Sequence, residues 1–135
     1  MQVAVMTAVI ANGGAIPHPH VVKKIGSVTI MPGKPRQAGL KQRTIRLIRQ
    51  GMYDAVHGEG GTAHRVAMED VKVAGKTGTA QNPQGKAHGW FTAFAPFDDP
   101  KLCVAVFVEH GGSGGVEPAD IAGAVFAEAK KRGLL

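Results

Sequence analysis

Two apolar runs constrain this chain more than any other feature. His88-Gly89-Trp90-Phe91-Thr92-Ala93-Phe94-Ala95 and Leu102-Cys103-Val104-Ala105-Val106-Phe107-Val108 carry apolar residues at consecutive positions, with no polar alternation. A strand turns successive side chains to opposite faces, so each run is apolar on both faces when extended. Such strands have no face to give to water and must lie between two covering layers. Pro96-Phe97-Asp98-Asp99-Pro100 joins them as a short turn, and Asn82-Pro83-Gln84-Gly85 is a similar turn just upstream. Before that turn, Val71 to Gln81 reads as a strand by alternation: Val71, Val73, Gly75, Thr77 and Thr79 face one way, Lys72, Ala74, Lys76 and Gly78 the other. Three strands joined by short turns form an antiparallel meander. The expected class is therefore α+β, with a three-strand C-terminal meander covered by helices.

Three segments can supply the covering layers. Residues 2 to about 12 are apolar nearly all round and predict a buried helix ended by Asn12-Gly13-Gly14. From Leu40 to about Val56, apolar residues recur at Leu40, Ile45, Ile48, Met52 and Val56. Lys41, Arg43, Arg46 and Arg49 lie between them, which predicts an amphipathic helix with a solvated basic face. Gly51 within it suggests a close packing contact. From Pro118 a last helix is expected to about Arg132. Glu117 and Asp120 suit its start, Lys130, Lys131 and Arg132 suit its end, Gly133 follows as a cap, and Ile121, Val125, Phe126 and Ala129 form the stripe toward the sheet. Val21–Ile25 and Ser27–Met31 read as short strands around Gly26, closed by Pro32-Gly33. Gly58 to Ala63 reads as a flexible connector and His110 to Gly115 as a mobile loop.

At 135 residues the chain is about one modest domain. Its formal net charge of +6 suits nucleic acid, an anionic surface or an acidic substrate. The basic residues are densest from Lys34 to Arg49, but no aromatic platform accompanies them, so nucleic acid is not expected as a partner. The single cysteine, Cys103, lies inside an apolar strand and reads as a small core residue. No segment has membrane-spanning length and no leader pattern is present. A helix that begins at Met1 without a capping residue is expected of a chain cut from a longer domain.

The chemistry concentrates in Val73-Ala74-Gly75-Lys76-Thr77-Gly78-Thr79-Ala80-Gln81. An edge strand of this composition offers N–H groups to an extended substrate, and hydroxyls plus positive charge to a carboxylate. The plain alternative is a surface strand with a solvated lysine. A phosphate loop is excluded, because the glycine it needs five residues before Gly75 is Asp70. Gly58-Glu59-Gly60-Gly61-Thr62-Ala63 has the letters of a dinucleotide fingerprint but follows a helix, where that fingerprint needs a strand. His18-Pro19-His20 has a spacing a metal could use, yet two loop histidines between prolines are the plainer reading, and neither metal nor cofactor is expected.

Lys76-Thr77-Gly78-Thr79-Ala80 on one strand, His88-x-Trp90-Phe91 on the next, Leu102 to Val108 on a third and a closing helix together resemble one family. It is the C-terminal part of the transpeptidase domain of class B penicillin-binding proteins, the elongation-type peptidoglycan D,D-transpeptidases. Lys-Thr-Gly is a signature element of that superfamily. The resemblance covers nearly the whole of residues 1–135 and includes Ala11-Asn12-Gly13-Gly14 and Gly61-Thr62-Ala63. It implies serine acyl transfer on D-alanyl-D-alanine stem peptides, inhibition by β-lactams, and a place on the extracytoplasmic face of the bacterial inner membrane. It assigns Lys76 to an electrostatic relay, the Thr77 and Thr79 hydroxyls to the substrate carboxylate, and the Thr79 backbone N–H to the oxyanion hole. Gly78 would let substrate lie close to the strand, with His88 and Trp90 nearby.

The family's nucleophile and base are missing. The two serines, Ser27 and Ser113, are followed three residues on by Ile30 and Val116, so neither begins Ser-x-x-Lys, and neither begins Ser-x-Asn. The chain is then expected to be inactive alone, as a fragment, as a polypeptide complementing a partner, or as a decayed domain. The expected partner is the remainder of the domain, or a second copy, met through the unprotected edge of residues 102–108. Two other functions remain: a non-catalytic wall-peptide-binding or scaffolding module, and a basic nucleic-acid-binding domain using residues 34–49.

Overall fold

The computed structural model describes residues 1–31 and 33–135. In chain order the elements are α1 (Gln2–Ala11), β1 (Ala15–Ile16), β2 (Lys24–Ile25), β3 (Val28–Thr29), β4 (Arg36–Gln37) and α2 (Gln42–His57). A 3-10 turn (His64–Val66), β5 (Ala74–Ala80), β6 (His88–Ala95), β7 (Leu102–Val108) and α3 (Glu117–Lys131) follow. The sheet order is β5-β6-β7, antiparallel throughout, with Gly78 opposite Trp90 and Thr92 opposite Ala105. This is the expected meander. α1 and α3 cover its two faces, so β6 and β7 lie between helical layers as their composition requires.

Period-two alternation divides the core. On the α3 face, Val73, Phe91, Ala93 and Ala95 pack with Val56, Val66, Ala119, Ala122 and Phe126. On the opposite face, Ala74 and Phe94 pack with Ile10, Ala11 and Met52. The buried side of α3 is Ala119, Ala122, Phe126 and Ala129, while Ile121 and Val125 stay partly exposed. The expected stripe was therefore half right. Small alanines let the helix axis approach the sheet, and one phenylalanine fills the remaining depth.

Several local expectations are corrected. α1 is buried only at Thr7, Val9, Ile10 and Ala11, leaving Met1 and Met6 exposed. The strands expected around Gly26 shrink to two residues each, all exposed, and a short β1–β4 pair joins residues that sequence periodicity did not link. The Pro32 of the expected closing turn lies outside the described residues. Gly51 has open space where a Cβ would sit, so it marks no close contact. Arg49 is turned away from the solvated basic face: its guanidinium donates to the carbonyls of Ala11 and Phe97 and lies over the Phe94 and Phe97 rings at 5.3 and 5.2 Å. This clamps α2 to the end of α1 and to the β6–β7 turn. It also removes one cation from the 34–49 run that the nucleic-acid alternative would use.

Cys103 behaves as the sequence suggests. Its thiol donates to the Ala4 carbonyl at 3.4 Å, and burial pushes its pKa up to about 11. Such a thiol is unreactive at neutral pH. In the His18-Pro19-His20 loop, His18 Nε2 lies 3.1 Å from the Lys34 carbonyl and His20 Nδ1 lies 3.1 Å from the His18 carbonyl, so each ring already has a backbone partner. No described helix is long and apolar enough to cross a membrane.

Candidate functional site

β5 is one free edge of the sheet and carries Lys76, Thr77, Gly78 and Thr79. Lys76 projects from the α1 face, opposite Thr92, and is exposed. Its ammonium donates to the Thr77 carbonyl at 3.0 Å and to Thr77 Oγ1 at 3.3 Å. Among the described residues it makes no ion pair, although Arg65, Lys72, Lys101, Lys130 and Arg132 all do. A cation held by hydroxyl and carbonyl oxygens, with no carboxylate of its own, can accept an anion from outside.

Thr77 is half-buried on the opposite side of the strand. Its Oγ1 lies 3.0 Å from Thr62 Oγ1. Thr62 belongs to the Gly58–Ala63 segment, which is a tight turn rather than the expected flexible connector. The Ala63 N–H donates to the Ala55 carbonyl at 2.9 Å, and a Cβ on Gly61 would stand 2.5 Å from that same oxygen. A crevice of about 410 Å³ opens between this turn, the end of α2 and Lys76. On the other side of Lys76, a second hollow of about 500 Å³ is almost wholly apolar, lined by Met6, Ile10, Ile48 and Met52. Thr7 and Thr92 form its floor, their hydroxyls 2.5 Å apart.

The segment expected to be a mobile loop is instead laid across the lysine strand. Gly114 is buried against backbone: a Cβ there would stand 1.9 Å from the Trp90 carbonyl oxygen, 2.5 Å from that of Gly78 and 2.8 Å from the Gly78 nitrogen. A Cβ on Gly115 would meet the Thr62 carbonyl at 2.6 Å. Upstream, the Gly112 N–H donates to the Ala87 carbonyl, and the His110 N–H to His88 Nδ1 at 3.0 Å. Replacing Gly114 by alanine should therefore lift this strap, lowering stability by about 1–3 kcal/mol and speeding hydrogen exchange at the Thr77–Thr79 amides. Gly51→Ala, in open space within α2, should move stability the other way by about 0.5–1 kcal/mol. Urea titration of both variants checks the pair.

Of the residues singled out from the sequence, Lys76, Gly78 and Trp90 come together around a small hollow on the α1 face; Thr77 borders it too but turns its side chain to the other face, toward Thr62. The Trp90 ring lies tilted against Phe107, with centroids 4.6 Å apart and the planes 48° from parallel. His88 stands opposite Ala80 at the far end of the strand, its ring between Phe107 and His110 at 5.4 and 5.0 Å. Its Nδ1 accepts the His110 N–H of the strap. Thr79 is exposed and pairs with Gly89. Sequence reasoning missed Thr62 and Gly114 as neighbours of the strand. No spacing signals them, because they reach it from 15 residues upstream and from the far side of β7.

The strand order, the covering helices and the placement of Lys-Thr-Gly on a sheet edge can be set beside known proteins. Residues 1–129 match the family model described as the penicillin binding protein transpeptidase domain. The chain belongs to this family. The peptidoglycan D,D-transpeptidase MrdA of Haemophilus influenzae is 34% identical over an alignment 143 positions long, gaps included, covering 90% of this chain and 22% of the relative. Among solved structures, Pseudomonas aeruginosa PBP2 in complex with WCK 5153 superposes with a TM-score of 0.81 at 37% identity, over 93% of this chain and 28% of that one. The ceftriaxone acyl-enzyme complex of penicillin-binding protein A from Mycobacterium tuberculosis gives 0.80 at 32% identity, over 93% and 31%. The chain thus spans between a fifth and a third of the length of these relatives. It is a part of the transpeptidase domain and carries a partial transpeptidase fold.

Proposed function

We propose that residues 1–135 are the C-terminal portion of a peptidoglycan D,D-transpeptidase domain, forming the wall that binds the substrate carboxylate and part of the oxyanion hole. One observation carries this reading: the Lys76 ammonium and the Thr77 hydroxyl form a connected cluster on an edge strand of the sheet, and among the described residues Lys76 is in no ion pair. A D-alanyl-D-alanine terminus supplies that missing anion. Thr77 and Thr79 share strand parity, and the Thr77 carbonyl is occupied by Lys76 Nζ at 3.0 Å. Thr79 then has its own backbone N–H for the oxygen of a scissile carbonyl.

In this reaction a serine hydroxyl on the complementary half attacks the D-Ala-D-Ala carbonyl, and the terminal D-alanine leaves with a proton. An amine from a neighbouring stem peptide then displaces the serine. Lys76 stabilises the proton relay electrostatically, Thr77 and Thr79 hold the terminal carboxylate, and Gly78 keeps the strand free of a Cβ beside them. Trp90 lies on the α1 face of the sheet, beside Lys76 and Gly78. β-Lactams, acyl-enzyme ligands in the Mycobacterium tuberculosis relative, would occupy the same wall.

The complementary half would cover the apolar hollow beside Lys76 and pair along the outer edge of β7, where Phe107 is 48% exposed. A second copy of the chain is the competing occupant of that edge. The assembled enzyme would act at the extracytoplasmic face of the bacterial inner membrane.

Fluorescent penicillin tests the reading. The chain alone should remain unlabelled after denaturing electrophoresis. Joined to, or mixed with, a polypeptide bearing Ser-x-x-Lys and Ser-x-Asn from this family, it should give a label on the serine-bearing half that unlabelled penicillin competes away. Covalent label on the chain itself, or no label in any assembled form, would overturn the proposal.

A further inference from the structure

We propose that Thr62 is a positioning residue that holds the Thr77 hydroxyl as a hydrogen-bond donor toward a carboxylate; this rests on the carboxylate-binding reading of the site. A threonine hydroxyl has one hydrogen to give and two lone pairs to fill. An ammonium has no lone pair, so Lys76 Nζ, 3.3 Å away, occupies one lone pair of Thr77 Oγ1 as a donor. Thr62 Oγ1, 3.0 Å away, faces Thr77 Oγ1 from the other strand-side segment. Between the two hydroxyls alone, either can donate to the other. When an acceptor-only carboxylate arrives, the Thr77 hydrogen must turn to it, and the Thr62 hydrogen then fills the second Thr77 lone pair. Two donors enter Thr77 Oγ1 and one leaves, so the Thr77 O–H has a single direction available.

The surroundings fix Thr62 for this task. Its neighbour Gly61 is pressed against the Ala55 carbonyl, the Ala63 N–H is bonded to that same oxygen, and Gly115 closes over the Thr62 carbonyl. α2 and the strap therefore hold its backbone from both sides. Its side chain lines the crevice beside Lys76 and needs only a hydroxyl rotation to reverse the bond.

The test is an amide chemical-shift titration of the full 135-residue chain with diacetyl-L-lysyl-D-alanyl-D-alanine and with the same peptide ending in a carboxamide. The acid should bind and move the Thr77, Gly78 and Thr79 amides, and the carboxamide should bind more weakly. Thr62→Val should weaken acid binding about 5-fold, the worth of roughly one neutral hydrogen bond, and Thr62→Ser should restore it. In a Thr77→Val background, adding Thr62→Val should cost nothing further. If Thr62→Val fails to give the native spectrum, Thr62→Ala against Thr62→Ser makes the same comparison.

Wild-type affinity in the hydroxyl-free Thr62 variants, with loss on Thr77→Val, would overturn the Thr62 proposal alone and leave the carboxylate reading standing. An undiminished Thr62 effect in the Thr77→Val background would do the same, because it would mean direct ligand contact or general distortion. Equal binding of acid and carboxamide, or no binding of either, would remove the carboxylate reading and the Thr62 role with it.

Discussion

Replacing Lys76 by methionine is expected to slow β-lactam acylation of the assembled transpeptidase by about 10²–10³-fold, the scale of losing one preorganised electrostatic contact at a reacting centre. The fold should survive the change. Lys76 is exposed and, among the described residues, its ammonium hydrogen-bonds to Thr77 alone, so methionine keeps the aliphatic stem and removes the charge and two hydrogen bonds. Lys76→Arg should fall between the two, because a planar guanidinium keeps the charge but not the compact donor geometry that reaches Thr77 Oγ1. Time courses of fluorescent-penicillin acylation measure the rate, and urea titration of the same variants confirms that stability is unchanged. An acylation rate within about threefold of wild type, with unchanged stability, would mean that Lys76 takes no part in the chemistry.

A second large effect lies in the core. Phe126→Ala should lower the unfolding free energy by about 3–5 kcal/mol. Phe126 is fully buried where α3 crosses the sheet, within the cluster that includes Val66, Val73, Phe91 and Ala93. The alanines beside it, Ala119 and Ala122, have no side-chain length with which to fill the cavity left behind. Typical domains are stable by only about 5–15 kcal/mol, so this one change consumes much of the margin. Ile121→Ala is the natural comparison: Ile121 is 42% exposed on the same helix and should cost about 1 kcal/mol or less. Urea denaturation followed by far-ultraviolet circular dichroism separates them. Similar losses for both would show that α3 buries Ile121 as deeply as Phe126, as the expected stripe of Ile121, Val125, Phe126 and Ala129 implied.

That contrast marks where local information ends. The placement of Ile121 and Val125 on the buried stripe was an inference from helical spacing, which ranks apolar residues by period but not by size. The sheet selected Ala119 and Ala122 because a helix close to β6 and β7 has no room for branched side chains there. Arg49 gives the same lesson with the opposite residue type. Its position between apolar neighbours on α2 marks it as solvated, yet two carbonyls and two aromatic rings from distant segments make the inward position better. Gly114 likewise looked like one more loop glycine until β5 and β6 ran beneath it, leaving no space for a Cβ.

By itself, the sequence determined the meander, its strand order, the three covering helices and the edge strand bearing Lys76, Thr77, Gly78 and Thr79. Each of these is written in short-range terms: alternation along a strand, turn residues between strands, a 3.6-residue period along a helix. Only the tertiary structure decided that Ala119 and Ala122, rather than Ile121 and Val125, complete the buried face of α3, that the glycine loop straps the lysine strand, and that Thr62 meets Thr77. Those contacts join residues far apart in the chain, and their energies depend on the shapes that meet there, which no local pattern encodes.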